Sequence, residues 1–158
     1  MFGKMTNTDA RIVKDWKRFQ ADPPPGVEAE IDVNHIRNWK AVILGPEDSI
    51  WQGAVLLLSI DFPDNYPTKP PHVKFVSSVF HPNIYKSGEI CLDILQNNWT
   101  SVYDVAAVLT SIQSLLTDPN PASPANIEAA QLFTKDEPAY ERRVRKCIEA
   151  GWAAGDWE

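Results

Sequence analysis

Long apolar segments are missing from this chain of 158 residues, whose longest uninterrupted apolar runs, Ala54 to Leu58 among them, span five residues. No stretch approaches the roughly 20 residues that a membrane-spanning helix needs, so no membrane partner is expected. The opening residues, MFGKMTNTD, have no apolar core and are not expected to serve as a signal peptide. Positive charge is scarce: 15 Lys and Arg face 21 Asp and Glu, a net charge of −6. That balance argues against direct nucleic-acid binding as the main task. Cysteine is scarcer still. Cys91 and Cys147 are too few for a disulfide scaffold or a thiolate zinc site, and no metal is expected. Reduced thiols in the cytoplasm and nucleus are the default for such a chain.

The composition that remains, 44% hydrophobic and 23% charged, suits one globular domain with one core. A single domain is expected over residues 1–158, with a core of about 6–152 and loose ends at 1–5 and 153–158. Proline is plentiful. Pro63, Pro67, Pro70, Pro71 and Pro82 crowd one region, interspersed with Phe62, Tyr66, Val73, Phe75 and Phe80. Proline fixes φ and cannot donate to a ladder, and the aromatic residues anchor the segment, so a rigid ordered loop is expected there.

Hydrophobic periodicity places the elements. Ile12, Trp16 and Phe19 mark the buried stripe of a helix from about Thr8 to Ala21, stopped by Asp22-Pro-Pro-Pro25-Gly26. Strands are expected at Val27–Val33, Trp39–Leu44, Gly53–Phe62 and Val73–Val76. The short connections leave no room for crossover helices, so the sheet should be an antiparallel meander. Beyond Trp99, Val105, Val108, Leu109, Ile112, Leu115 and Leu116 form a helical stripe, with Ser101 as the expected cap. Ser123-Pro124 is expected to start another helix, and Asp136 to cap the last. The result is an α+β chain: an N-terminal helix, a four-stranded antiparallel meander, then C-terminal helices packed on one side.

The most informative stretch runs from His81 to Leu95. His81-Pro82-Asn83 is followed by a short polar turn and then Cys91-Leu92-Asp93-Ile94-Leu95, with Trp99 beyond. A thiolate can carry an acyl group, and a fixed amide N–H can stabilise the oxyanion of acyl transfer. Lys86 is the one cation near Cys91, and Glu89 and Asp93 flank it. That surrounding suits a relay cysteine better than a pre-ionised protease nucleophile. Cys147 reads as a small buried hydrophobe.

This stretch resembles the active-site signature of ubiquitin-conjugating enzymes. Trp39-x-x-x-Ile43-x-Gly45-Pro46, Tyr66-Pro67-x-Lys69-Pro70-Pro71, Trp99 and Pro119-Asn120-Pro121-x-Ser123-Pro124-Ala125-Asn126 extend the likeness, in the family's order, across about Ala10 to Trp152. The runs CLDILQNNW, LTSIQSLL and NPASPAN resemble the post-replication-repair and histone-ubiquitylating branch. The resemblance implies a thioester acyltransferase with Cys91 as acceptor. It implies ubiquitin, an activating enzyme, a RING-type ligase and protein substrates as partners. It implies no bound cofactor, ATP being used by the upstream activating enzyme, and a place in DNA repair in the cytoplasm and nucleus.

The resemblance also assigns roles by position. Asn83 matches the oxyanion stabiliser, with loop-holding by side-chain-to-backbone bonds as an equal reading. Ser123 stands where many members carry an acid that helps the attacking lysine lose its proton. Asp93 is a second carboxylate near Cys91, equally readable as a loop-ordering acceptor. His81 and Tyr85 are read as structural neighbours of the site. Arg11, Lys14 and Arg18 resemble the basic helix face that meets the activating enzyme, though any such stripe also suits plain solvation. Pro67 and Thr68, with Trp99, Thr100 and Ser101, match the loops that meet ligases. Ser101 replaces the family's usual proline, and Ser49-Ile50-Trp51-Gln52-Gly53 departs from its usual turn. A Cys/His/Asn hydrolase, a non-enzymatic variant of the same fold and a conjugating enzyme for another ubiquitin-like modifier are the alternatives.

Overall fold

The structure, a computed structural model, describes residues 5–154. The expected loose ends at 1–4 and 155–158 lie outside the described residues. The element order is α1 (Asn7–Ala21), β1 (Val27–Asp32), β2 (His35–Leu44), β3 (Val55–Asp61), β4 (His72–Phe75), α2 (Val105–Thr117), α3 (Ile127–Lys135) and α4 (Glu137–Ala154). Residues 153–154, expected to be loose, continue α4. Among the described residues, no helix is long and apolar enough to cross a membrane.

The four strands form one antiparallel sheet in sequence order. Side chains alternate across it, as a half-buried sheet requires. Trp39, Ala41 and Ile43 of β2 pair with Ile60, Leu58 and Leu56 of β3, and Ile60 and Leu58 pair in turn with Val73 and Phe75 of β4. All of these residues are buried and share one core with the inner faces of the helices. β2 begins at His35, four residues before the expected Trp39. Val33 is part of a tight turn in which the Asn34 N–H donates to Asp32 Oδ1 at 2.9 Å.

The stripe read along α2 is buried at every expected position: Val105, Val108, Leu109, Ile112, Leu115 and Leu116. The helix starts have shifted. α2 is capped by Asp104, whose carboxylate accepts from the Ala107 N–H at 2.9 Å, and not by Ser101. The Ser101 carbonyl is held by Arg11. α3 is capped by Asn126, and not by Ser123. A helix starting at Ser123 would need the N–H groups of Ala125 and Asn126, and both donate to the Pro82 carbonyl, at 2.7 and 3.0 Å. Asp136 does cap α4, accepting from Ala139 N–H at 3.2 Å.

A buried polar cluster anchors α1. Asp15 is 1% exposed and accepts from Arg11 Nε at 2.8 Å and from the Tyr66 hydroxyl. Burial, then the hydrogen bond to Asp15, pushes the Tyr66 phenol well above its ordinary pKa. Removing one partner of such a cluster leaves the others desolvated and unpaired. Asp15→Ala is expected to cost on the order of 3 kcal/mol in denaturant unfolding. The double variant Asp15→Ala/Tyr66→Phe should be less destabilised than the sum of its singles, by about 0.5–3 kcal/mol. Strict additivity would mean that the two groups do not depend on each other.

Candidate active site

Cys91 lies at the end of a small irregular hairpin. Its N–H donates to the Asn83 carbonyl at 2.8 Å, Ile84 bridges Ile90, and the Tyr85 N–H donates to the Glu89 carbonyl at 2.9 Å. The turn closes at Gly88, whose φ of +94° suits glycine and whose Cβ would meet the Phe75 carbonyl oxygen at 2.0 Å. A side chain there would push the hairpin off β4. Cys91 is half-buried and carries a free thiol. After it comes one 3₁₀ turn, Asp93–Leu95, where no helix was expected. The turn is too short to present a helix N-terminus to the sulfur.

His81 and Asn83 are 0% and 1% exposed, and every polar atom of both side chains is engaged. The Asn83 N–H donates to His81 Nδ1 at 2.9 Å. That bond requires Nδ1 to be the unprotonated nitrogen, so Nε2 carries the proton and donates to the Leu115 carbonyl at 2.7 Å. Burial lowers the imidazole pKa to about 4, so His81 is neutral at physiological pH. With both nitrogens occupied, it is poorly placed to be a general base. The next carbonyl of α2, Leu116, accepts from Trp51 Nε1 at 2.8 Å. The departure at Ser49–Gly53 thus supplies a buried indole that, with His81, satisfies two carbonyls at the end of α2.

The Asn83 amide reaches the loop between α2 and α3. Nδ2 donates to the carbonyls of Asn120 and Ser123 at 2.7 and 2.9 Å, and Oδ1 accepts from the Asn120 N–H at 2.8 Å. Both N–H groups are therefore committed to the backbone in this state, and neither is free for an oxyanion. Of the two readings of Asn83, the loop tie is the one this geometry occupies. Ser123 is exposed, and its carbonyl, not its hydroxyl, makes the link to Asn83. Asp93 is exposed and turned into its own loop, accepting from Ile94 N–H at 2.8 Å and Asn98 Nδ2 at 3.2 Å. Tyr85 is 46% exposed at the hairpin turn.

Two residues not singled out in the sequence brace the site. Gln96 spans Cys91: its Oε1 accepts from the Leu92 N–H at 2.9 Å, and its Nε2 donates to the Ile90 carbonyl at 3.1 Å. Asn120 offers both backbone groups to Asn83. Both lie inside motif runs already read as family-like, and that was the available signal.

The structure divides the basic stripe of α1. Lys14 and Arg18 are exposed. Arg11 is half-buried and has all three guanidinium nitrogens engaged: besides Asp15, it donates to the carbonyls of Ser101 and Tyr103 at 2.8 and 2.7 Å. Trp99 is half-buried and donates from Nε1 to the Pro67 carbonyl at 2.9 Å. One indole thus joins the Pro67–Thr68 loop to the Trp99–Ser101 loop, with Thr68, Thr100 and Ser101 exposed on top. Arg11 fastens α1 to the second loop from below.

A half-exposed thiol on a braced hairpin, a histidine and an asparagine wholly spent on backbone, and two exposed loops on a shared frame describe a relay site better than a hydrolase triad. Comparison with known proteins agrees. The family model described as "Ubiquitin-conjugating enzyme" matches residues 11–148. The chain is 53% identical over 142 residues to "Ubiquitin-conjugating enzyme E2 2" of Kluyveromyces lactis, covering 90% of this chain and 87% of that one. It is similarly 53% identical to the Saccharomyces cerevisiae protein of that name, covering 90% and 83%. To "Ubiquitin-conjugating enzyme E2 3" of Arabidopsis thaliana it is 54% identical over 147 residues, covering 93% and 98%. The chain belongs to the ubiquitin-conjugating enzyme family.

The His81 bonds carry a pH signature. Its pKa is about 4 in the folded protein and about 6.5 in an unfolded chain, so the unfolded state binds the extra proton first as pH falls. Stability is expected to decline between pH 6.5 and about 4, by roughly 3 kcal/mol from this group. His81→Gln should flatten that part of the stability profile while lowering the plateau at neutral pH. Parallel profiles for both proteins would show that His81 does not titrate in that range.

Proposed function

We propose that the protein accepts ubiquitin on Cys91 as a thioester and passes it to a lysine amine with a RING-type ligase. The Cys91 thiolate attacks the ubiquitin carbonyl carried on the activating enzyme. A C–S bond forms to Cys91, and the activating enzyme's thiolate leaves. The lysine nitrogen then attacks the same carbonyl, a C–N bond forms, the Cys91 thiolate leaves, and the amine proton passes to a base or water. No bound cofactor takes part, ATP being consumed upstream. The observation that carries this reading is the half-exposed Cys91 thiol, held next to the Asn83 loop tie in a chain of this family.

Within it, Asn83 is a positioning residue: it fixes the loop carrying Ser123 beside the cysteine hairpin. Lys14 and Arg18 are offered to the activating enzyme, while Arg11 holds the helix that displays them. Thr68, Thr100 and Ser101 form the ligase surface, with Pro67 and Trp99 holding it. The runs CLDILQNNW and NPASPAN support the post-replication-repair and histone-ubiquitylating branch, acting in the nucleus and cytoplasm on protein substrates.

Charging with activating enzyme, ATP and ubiquitin tests the assignment. Cys91→Ser is expected to trap ubiquitin as an oxyester that resists thiol reagents, and Cys147→Ser to charge normally. A requirement for Cys147, or charging only by a different ubiquitin-like modifier, would overturn it.

Ser123 provides a second test. Its exposed position suits a group that accepts a hydrogen bond from the incoming amine. Lysine has a reference pKa near 10.4, so a nearby negative charge aids its passage through deprotonation. Ser123→Asp, or phosphorylation adding about −1.5 to −2 charge, is expected to speed ligase-free discharge to lysine near neutral pH. The gain should fade toward the lysine pKa. Because Asn126 is the α3 cap, stability should change little. Superimposable single-turnover pH profiles for the Ser, Asp and Ala forms would remove this role.

A further inference from the structure

Beside the cysteine hairpin, a groove of about 870 Å³ separates the Tyr85–Gly88 turn from α4. Lys86 stands on one wall, Arg143 and Lys146 on the other, and Val76 and Phe80 lie between. The groove opens directly off the framework of the site. Tyr85 is two residues from Asn83, and Asn126, at one end, is bonded through its N–H to the Pro82 carbonyl.

Its charge runs against that of the chain. The whole protein carries −6, yet three cations line this groove. Glu128 is the one acid among its lining residues, while Glu141 and Glu149 lie with Lys146 on the adjoining surface of α4. Glu128 pairs with Arg143 at 2.8 Å, while Arg143 stacks over the Phe80 ring at 4.4 Å. Glu89 is turned across β4 to His72, at 3.5 Å. Lys86 and Lys146 are exposed and make no ion pair with any of the described residues. Two exposed ammonium groups across a concave, partly apolar gap raise its positive potential and favour an anionic guest. Val76, 63% exposed on the floor, offers apolar contact as well.

We infer that this groove is a specificity-determining subsite that holds an acidic segment of the substrate protein while a neighbouring lysine of that substrate lies at Cys91. The inference rests on the thioester-transfer reading above. Exposed ion pairs are individually weak, and two of them together correspond to about a three- to tenfold preference.

The test uses labelled peptides with one lysine flanked by several glutamates or, in the control, glutamines. Single-turnover discharge of the charged protein at low peptide concentration should favour the glutamate peptide about three- to tenfold at low salt. The preference should collapse at about 1 M salt, where the screening length falls to ~3 Å. Lys86→Glu/Lys146→Glu should reverse it and Lys86→Gln/Lys146→Gln should abolish it, both leaving discharge to free lysine unchanged. Fluorescence anisotropy with the uncharged protein should follow the same order. A protein that does not charge sinks the transfer reading, and anisotropy still tests the groove. Equal rates and equal binding for the two peptides, or a preference that survives charge reversal, would overturn the inference.

Discussion

The site depends on a polar tie through the interior. His81 and Asn83 follow one another around Pro82, both buried, and together they bond to three segments: the end of α2, the loop after it, and the cysteine hairpin. A buried polar group left unpaired costs about 1–3 kcal/mol, whereas a satisfied one contributes modestly. The asymmetry makes the arrangement close to all-or-none. If the Asn120–Ser123 loop moves away, the Asn83 amide loses three hydrogen bonds at once. The loop bearing Ser123 is therefore held against the hairpin bearing Cys91 by the cost of parting them.

A second buried cluster ties α1 to its neighbours in the same way. Arg11, Asp15 and Tyr66 join α1 to the Pro67 loop, and Arg11 and Trp99 bring in the loop before α2. The surfaces proposed for the activating enzyme and for the ligase are thus mounted on one polar frame. Exposed residues such as Lys14, Thr68 and Ser101 are then free to vary in contact chemistry without disturbing the frame.

The parts legible in the sequence were those set by short-range pattern. The α2 stripe and the alternation in β2 and β3 follow from periods of 3.6 and 2, and each residue reports on its own neighbours. The parts that were misread were settled by distant partners. Ser123-Pro124 has the local form of a helix start, but the Pro82 carbonyl, some 40 residues earlier, captures the N–H groups such a start would need. Ser101 resembles a cap until Arg11, 90 residues away, takes its carbonyl. Arg11 itself falls on a basic stripe by spacing, and only the fold shows that it points into the frame. For Asn83, both readings fit the sequence equally, because its partners Asn120 and Ser123 lie 37 and 40 residues away.

Residue-resolved amide hydrogen exchange of Asn83→Ala against the wild-type protein tests whether Asn83 acts by holding the loop. The Asn120 N–H, which loses its acceptor, should exchange much faster, and the rest of that loop should follow. The Cys91 N–H, bonded to the backbone carbonyl at position 83, should keep more of its protection. Unchanged protection at Asn120, in a variant that still charges but no longer discharges to lysine, would contradict it and assign the amide to the reacting carbonyl instead.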